Sequence, residues 1–313
     1  MEISDSRLKY LYEAHRQGTM RAASEHFNVA PSSVSRQIAS LERELGMVLV
    51  EKGRHTVHLT EAGELLVAYY REREGRHELL VSALDDLRGM RTGQVRIAVG
   101  QSLVNSLLAT VIQRYRKEWP GIHIHVIEVA TQQVLSLISQ DEVHFGLLLN
   151  PPADSKLRDR FSFPLPFEAV MPGGHPLASR RMVSLRDVMA FPLVLPTTNF
   201  RSRQLLEDIA LKERLKLSPA VTVSSIPMLL SCIRAGVGVG VLPNIQINLN
   251  EEPGRESLVS VPIDDKTLSS FAVHAMTRLG RTLPRSAKVL LDSLEREIAL
   301  RAHKTMPRKK AAA

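Results

Sequence analysis

From Pro31 to Gly46 the chain reads as one amphipathic helix with an acid-free outer face, and this narrows the fold more than any other stretch. Val34, Ile38, Leu41 and Leu45 recur at helical spacing and form a stripe that must be buried. Pro31 suits a first helical turn, where its missing N–H is no loss, and Gly46 suits the end. The opposite face holds Ser32, Ser33, Ser35, Arg36, Gln37 and Ser40, with no carboxylate before Glu42. Hydroxyls and free amides at a helix start donate to phosphate, while Arg and Gln pair with base edges in a major groove. Upstream, Thr19 predicts an N-cap for a shorter helix with Ala22, Ala23 and Phe27 on one side, stopped at Asn28. Downstream, Val48-Leu49-Val50 and Thr56-Val57-His58-Leu59 flank Glu51-Lys52-Gly53-Arg54-His55. That pattern predicts a hairpin, or wing, tipped by Lys52 and Arg54. Two angled helices beside a basic wing predict a DNA-binding unit; the competing reading is a helical hairpin that serves packing alone.

Ala22-Ala23, Pro31-Ser32-Ser33-Val34-Ser35-Arg36-Gln37-Ile38, Leu41-Glu42-Arg43-Glu44-Leu45-Gly46 and Leu59-Thr60-Glu61-Ala62-Gly63 together resemble the winged helix-turn-helix signature of LysR-type transcriptional regulators. There is one departure. That family carries Phe, an acidic or polar residue and then Arg after the wing's Leu, where this chain has Val50, Glu51 and Lys52. Lysine keeps the charge but cannot fork onto a phosphate as arginine does. The resemblance implies duplex-DNA contacts from Pro31, Ser32, Ser33, Ser35, Arg36, Gln37, Lys52 and Arg54. It also implies a homodimer or homotetramer, a small-molecule effector, and RNA polymerase as a further partner.

Net charge alone would not have found this unit. The chain carries +8 overall, but residues 1–60 hold 8 basic against 7 acidic residues, whereas the tail 301–313 holds 5 basic and no acidic ones. The tail is expected to be disordered and solubilising, with non-specific DNA attraction as the alternative. No apolar run approaches the roughly 20 residues that span a bilayer. The first residues, MEISDSRLKY, lack the apolar centre of a signal peptide. The single Cys232 excludes an internal disulfide framework and a cysteine zinc site. These features predict a cytoplasmic protein without membrane contact.

Leu8, Leu11, Tyr12 and His15 predict a first helix ending at Gly18, which braces the two that follow. Thr60 with Glu61 and Glu64 predicts the capped start of a long helix reaching about Gly89. Leu65, Leu66, Tyr69, Leu79, Leu80, Ala83, Leu84 and Leu87 fall at near-heptad spacing. In the resembling family this linker helix pairs with its copy from another subunit; the alternative is packing on its own chain.

Beyond Gly93 the pattern alternates strands and helices. Strands are predicted at 94–99, 122–127, 145–149, 167–171, 191–195, 221–223, 238–242, 258–261 and 271–274. Helices are predicted at 103–119, 134–139, 184–189, 203–215, 228–235 and 286–299. This order predicts helix-covered, parallel α/β layers. Two such units joined by two crossings resemble the type II periplasmic-binding-protein fold, the effector domain of LysR-type regulators. The expected fold is therefore α/β with an N-terminal winged helix-turn-helix, a linker helix and two Rossmann-like subdomains. The expected boundaries are 1–59 for DNA binding, 60–91 for the linker, 92–300 for the effector domain and 301–313 for the tail. Within 92–300, one subdomain takes 92–163 plus 268–300 and the other 164–267.

In open α/β folds ligands bind beyond the carboxyl ends of strands. That rule selects Ser102, Leu103, Thr131, Asn150, Thr197, Thr198, Asn199 and Ser224, with Arg201 adding charge. Two groups precede helix starts, whose free amides favour an anion, so a small carboxylate or oxyanion is expected. The competing reading is that these residues only cap helices and turns. Gly236-Val237-Gly238-Val239-Gly240 is not a dinucleotide fingerprint, since it follows a helix. Ser102 lacks a G-x-S-x-G elbow, and the isolated histidines show no H-x-x-x-H or HExxH spacing. No catalytic residue, metal or cofactor is expected. A solute-binding module without specific DNA binding, and an enzyme on the α/β units, are the rival functions.

Overall fold

The first helices form where the capping chemistry places them. The computed structural model describes residues 3–51, 56–88, 92–103, 106–244 and 257–305. Helix α1 spans Asp5–Arg16 and α2 spans Met20–Phe27; the Thr19 hydroxyl accepts the Ala22 N–H at 3.1 Å. Asn28 closes α2 in the left-handed region at φ 53°. Helix α3 spans Pro31–Leu45 and ends at Gly46, φ 67°, a conformation that costs glycine nothing. Leu8, Leu11, Ala14, Ala23, Val34, Ile38, Leu41, Leu49, Val67 and Tyr70 bury one another in a single cluster. Each fully buried aliphatic side chain there contributes about 1.5–3 kcal/mol.

Among the described residues the expected hairpin shows one antiparallel bridge, Val50 to Leu59. Glu51 N–H donates to the His58 carbonyl and Thr60 N–H to the Leu49 carbonyl. The return segment is tied on its outer side by the Val57 N–H, which donates to the Gly18 carbonyl at 2.7 Å. The tip, with Lys52 and Arg54, lies outside the described residues, as do residues 306–313 of the basic tail. Helix α4 then runs Glu61–Leu87. Thr60 Oγ1 caps it by accepting the Gly63 N–H and also donates to the Val48 carbonyl, which ties helix to ribbon. Of its apolar stripe, Leu65, Tyr69, Leu80, Leu84 and Leu87 are exposed within the monomer.

The chain divides into two compact units, Met1–Val81 and Ser82–Ala313. In the second, β1 (Gly93–Gly100) leads through a 3-10 turn at Gln101–Leu103 into α5 (Ser106–Glu118). Then come β2 (Ile122–Val129), α6 (Thr131–Ser139), β3 (Phe145–Leu149), β4 (Leu157–Pro164) and β5 (Phe167–Pro172). Next are α7 (Leu185–Met189), β6 (Leu193–Pro196), α8 (Arg201–Lys212), β7 (Pro219–Val223), α9 (Ile226–Arg234) and β8 (Gly240–Pro243). The described chain finishes with β9 (Leu258–Pro262), α10 (Lys266–Ser269), β10 (Ala272–Arg278) and α11 (Arg285–Thr305).

One sheet has the order β2-β1-β3-β10-β4. Its β2-β1-β3 part is parallel as expected, but β10 inserts antiparallel between β3 and β4. A second sheet, β8-β5-β9, is antiparallel throughout, and β6-β7 is a parallel pair. Strand β4 was not expected, because Arg158-Asp159-Arg160 hides its alternation. The glycine run behaves structurally. Gly236 leaves α9 at φ 73°, and a Cβ at Gly238 would collide with the Pro192 carbonyl oxygen, so β8 can enter close against the neighbouring chain.

Candidate nucleic-acid interface and ligand cleft

Helix α3 turns Val34, Ile38 and Leu41 inward and leaves Pro31, Ser32, Ser35 and Arg36 exposed, with Ser33 and Gln37 half-buried. Its start carries no side-chain cap; Pro31 has no N–H and the Ser33 N–H donates to the Ala30 carbonyl at 2.8 Å, which leaves the Ser32 N–H to face an anion. Arg36 Nε makes one 3.3 Å bond, to the Ser32 carbonyl, and has no acidic partner among the described residues. The acids that follow are drawn off this face. Glu42 Oε1 accepts the Leu49 and Val50 amides at 2.8 and 3.3 Å, and Glu44 pairs with Arg7 of α1. Glu42 therefore anchors the ribbon to α3, a role missed in the sequence, where it only marked the end of the acid-free run. The arrangement is a convex, hydroxyl- and arginine-bearing helix with a ribbon fixed beside it.

Near the end of α1, His15 has a buried Nδ1 without a partner. Burial lowers its pKa from 6.5, the Arg71 guanidinium lowers it further, and Glu64 opposes the shift.

In the second unit a cleft of about 560 Å³ opens at the ends of β1 and β2 and at the starts of α6 and α8. Such a volume suits a small ligand. Of the expected residues, Thr131, Asn199 and Arg201 line it. Asn150, in the left-handed region at φ 40°, is held to it indirectly: its carbonyl accepts Arg201 Nε and Nη2, each at 3.2 Å. Leu103 does not line it, being buried in the main core. Ser102 sits in the 3-10 turn at Gln101–Leu103, and α5 is described from Ser106 onward, with 104 and 105 outside the described residues. Thr197, Thr198 and Ser224 are not among the lining residues; the Thr197 amide pairs with Val223, and the Thr198 carbonyl accepts Gln204 Nε2. The lining residues that were missed are mostly polar: Gln101, Glu128, Gln132, Gln133 and Gln204. Gln132 and Gln133 could have been found, since they follow Thr131 in the first turn of a helix. Both α6 and α8 open on the cleft from N-caps, Ala130 and Phe200, that make no side-chain cap bond. Among the described residues no cluster of metal ligands occurs, and no helix is long and apolar enough to cross a membrane.

Residues 6–64 match the lysR family of bacterial regulatory helix-turn-helix proteins, and residues 88–299 match the LysR substrate binding domain. Curated relatives include the HTH-type transcriptional activator CmpR of a Synechocystis species, 25% identical over 72% of this chain and 74% of its own length. The HTH-type transcriptional regulator CysB of Burkholderia cenocepacia is 25% identical over 79% of this chain and 80% of its own. Among solved structures, a cysteine variant of full-length OxyR from Pseudomonas aeruginosa superimposes with a TM-score of 0.69 at 19% identity, covering 94% of this chain and 95% of that one. Full-length CbnR complexed with its target DNA gives 0.54 at 16% identity, covering 94% and 99%.

Proposed function

We propose, from the premise that this chain belongs to the LysR family of bacterial regulators, how its residues divide the family's work. It is a DNA-binding transcriptional regulator with an effector-binding domain. In our reading α3 enters the major groove and Arg36 reads a base edge, while Ser32, Ser33 and Ser35 hold phosphates and Gln37 lies at the margin. Lys52 and Arg54 meet the flanking backbone. Residues 1–59 bind DNA, 60–91 join two subunits through the exposed stripe of α4, and 92–300 hold the effector. In the last of these, 92–163 plus 268–300 face 164–267 across the cleft. The effector is a small molecule with an anionic group near Arg201 and the starts of α6 and α8. The protein acts by binding rather than catalysis, in the cytoplasm where promoters are.

The observation that carries the DNA reading is the acid-free face of α3, kept clear by the inward turn of Glu42 and the pairing of Glu44 with Arg7. Selection of bound duplexes from a random pool, using the whole protein, tests it. Arg36→Ala should lose about 1–3 kcal/mol on the selected site and relax one base preference. Unchanged affinity and preference would remove α3 from the recognition role.

A further inference from the structure

The cleft contains an unpaired acid as well as an unpaired base. Glu128, near the end of β2, and Arg201, the first residue of α8, line the same cavity, and neither has an ion-pair partner among the described residues. The Arg201 guanidinium is steadied from one side by the Asn150 carbonyl, which leaves Nη1 with only a 3.4 Å contact to Gln204. A second acceptor is also unmet. Gln101 Oε1 is buried, lines the cleft and receives no hydrogen bond. A buried acceptor left without a donor is a standing cost that an incoming N–H removes.

We propose that the effector is a small zwitterion of the amino-acid class, with a protonated amine and a carboxylate on one short skeleton. The carboxylate lies at Arg201 and the uncapped starts of α6 and α8, where guanidinium and free amides converge. The ammonium lies at Glu128 and Gln101 Oε1. A simple anion would satisfy the first group and leave the Glu128 carboxylate facing like charge in the same cavity. A simple cation would do the reverse at Arg201. Only a ligand with both charges pairs both ends, and the glutamines lining the same cavity suit a polar skeleton. This inference deepens the cleft reading above and rests on it.

The test is calorimetry on the whole protein with three matched probe sets. These are the proteinogenic L-amino acids, the corresponding α-hydroxy acids without the amine, and the corresponding amines without the carboxylate. The expected result is binding of at least one amino acid, with both of its truncated counterparts weaker by about tenfold or more. Glu128→Gln should weaken that amino acid by about tenfold and leave the hydroxy acid unchanged, whereas Arg201→Gln should weaken both. Glu128 has no described partner to lose, so its variant is expected to fold, and circular dichroism checks both. If a hydroxy acid binds as well as its amino acid and only Arg201→Gln weakens it, the zwitterion is wrong and the anion cleft stands. If a probe binds and neither variant weakens it, the cleft reading falls as well. Binding of no amino acid overturns the zwitterion outright.

Discussion

Gly63, the third residue of α4, offers a sharp test of how the ribbon is held. A Cβ built there would meet the Leu49 carbonyl oxygen far inside van der Waals contact, with the Leu49 carbonyl carbon and Leu59 Cβ both at 3.2 Å. The oxygen cannot swing aside freely, because it accepts the Thr60 N–H at 2.9 Å and Leu49 is fully buried. Gly63→Ala should therefore cost about 1–3 kcal/mol for overpacking and about 1 kcal/mol for the strained Thr60 bond. The helix preference for alanine returns about 1 kcal/mol. The net loss is about 1–3 kcal/mol, a roughly 5- to 150-fold rise in the opening equilibrium of the first unit. Hydrogen exchange of the α3 amides in the whole protein, read by mass spectrometry, reports that equilibrium. Gly75 supplies the contrast, since it lies in the same helix and a Cβ added there would meet nothing within 4 Å. Gly75→Ala should slow exchange by up to about fivefold. If Gly63→Ala exchanges as slowly as the parent, the Leu49 carbonyl is not pinned against the helix and the account of the ribbon is wrong.

Glu42→Gln should weaken the anchoring of Leu49 and Val50 by about 1 kcal/mol and lower affinity for all duplexes alike; unchanged exchange at those two amides would exclude the anchor. Replacing Leu80 and Leu84, which are 58% and 43% exposed, by Glu should yield smaller species in sedimentation, and an unchanged mass would rule out this seam. His15 makes the first unit sensitive to acid. Its folded pKa lies below the ordinary 6.5, because burial and then Arg71 disfavour the charged form, so the unfolded chain takes the proton more readily. Its contribution to stability is complete above pH 6.5 and is lost as pH falls through the folded pKa. His15→Gln should flatten urea midpoints across that window, and an unchanged slope would assign the effect to other groups.

What was legible in the sequence was local. Thr19, Asn28, Pro31, Gly46 and Thr60 act on backbone within a few residues of themselves, so their roles can be read without a fold. The parallel β2-β1-β3 core was legible for a similar reason, since each step is one short crossover. The antiparallel entry of β10 was not, because it depends on pairing with strands more than a hundred residues away. The cleft was half legible. The strand-end rule reached Thr131, Asn199 and Arg201, but it assumed α5 to start at 103 and α8 at 203. The observed α8 starts at Arg201, directly after its N-cap Phe200, which places Arg201 in the first turn. Glu128 and Gln101 were missed because nothing local distinguishes a strand-end acid or amide that faces a cavity from one that faces water.

The insertion of β10 between β3 and β4 also imposes a timetable on synthesis. When residues 145–149 leave the ribosome, the strand that will cover their free edge is still untranslated. At ordinary elongation rates it follows roughly ten seconds later. Through that interval the nascent chain displays a fully apolar strand, Phe-Gly-Leu-Leu-Leu, with one unpaired edge. An edge of that kind invites pairing with another chain. The segment that completes the first sheet arrives only after the second has been made, so a truncated product ending before residue 272 should depend on chaperones or aggregate.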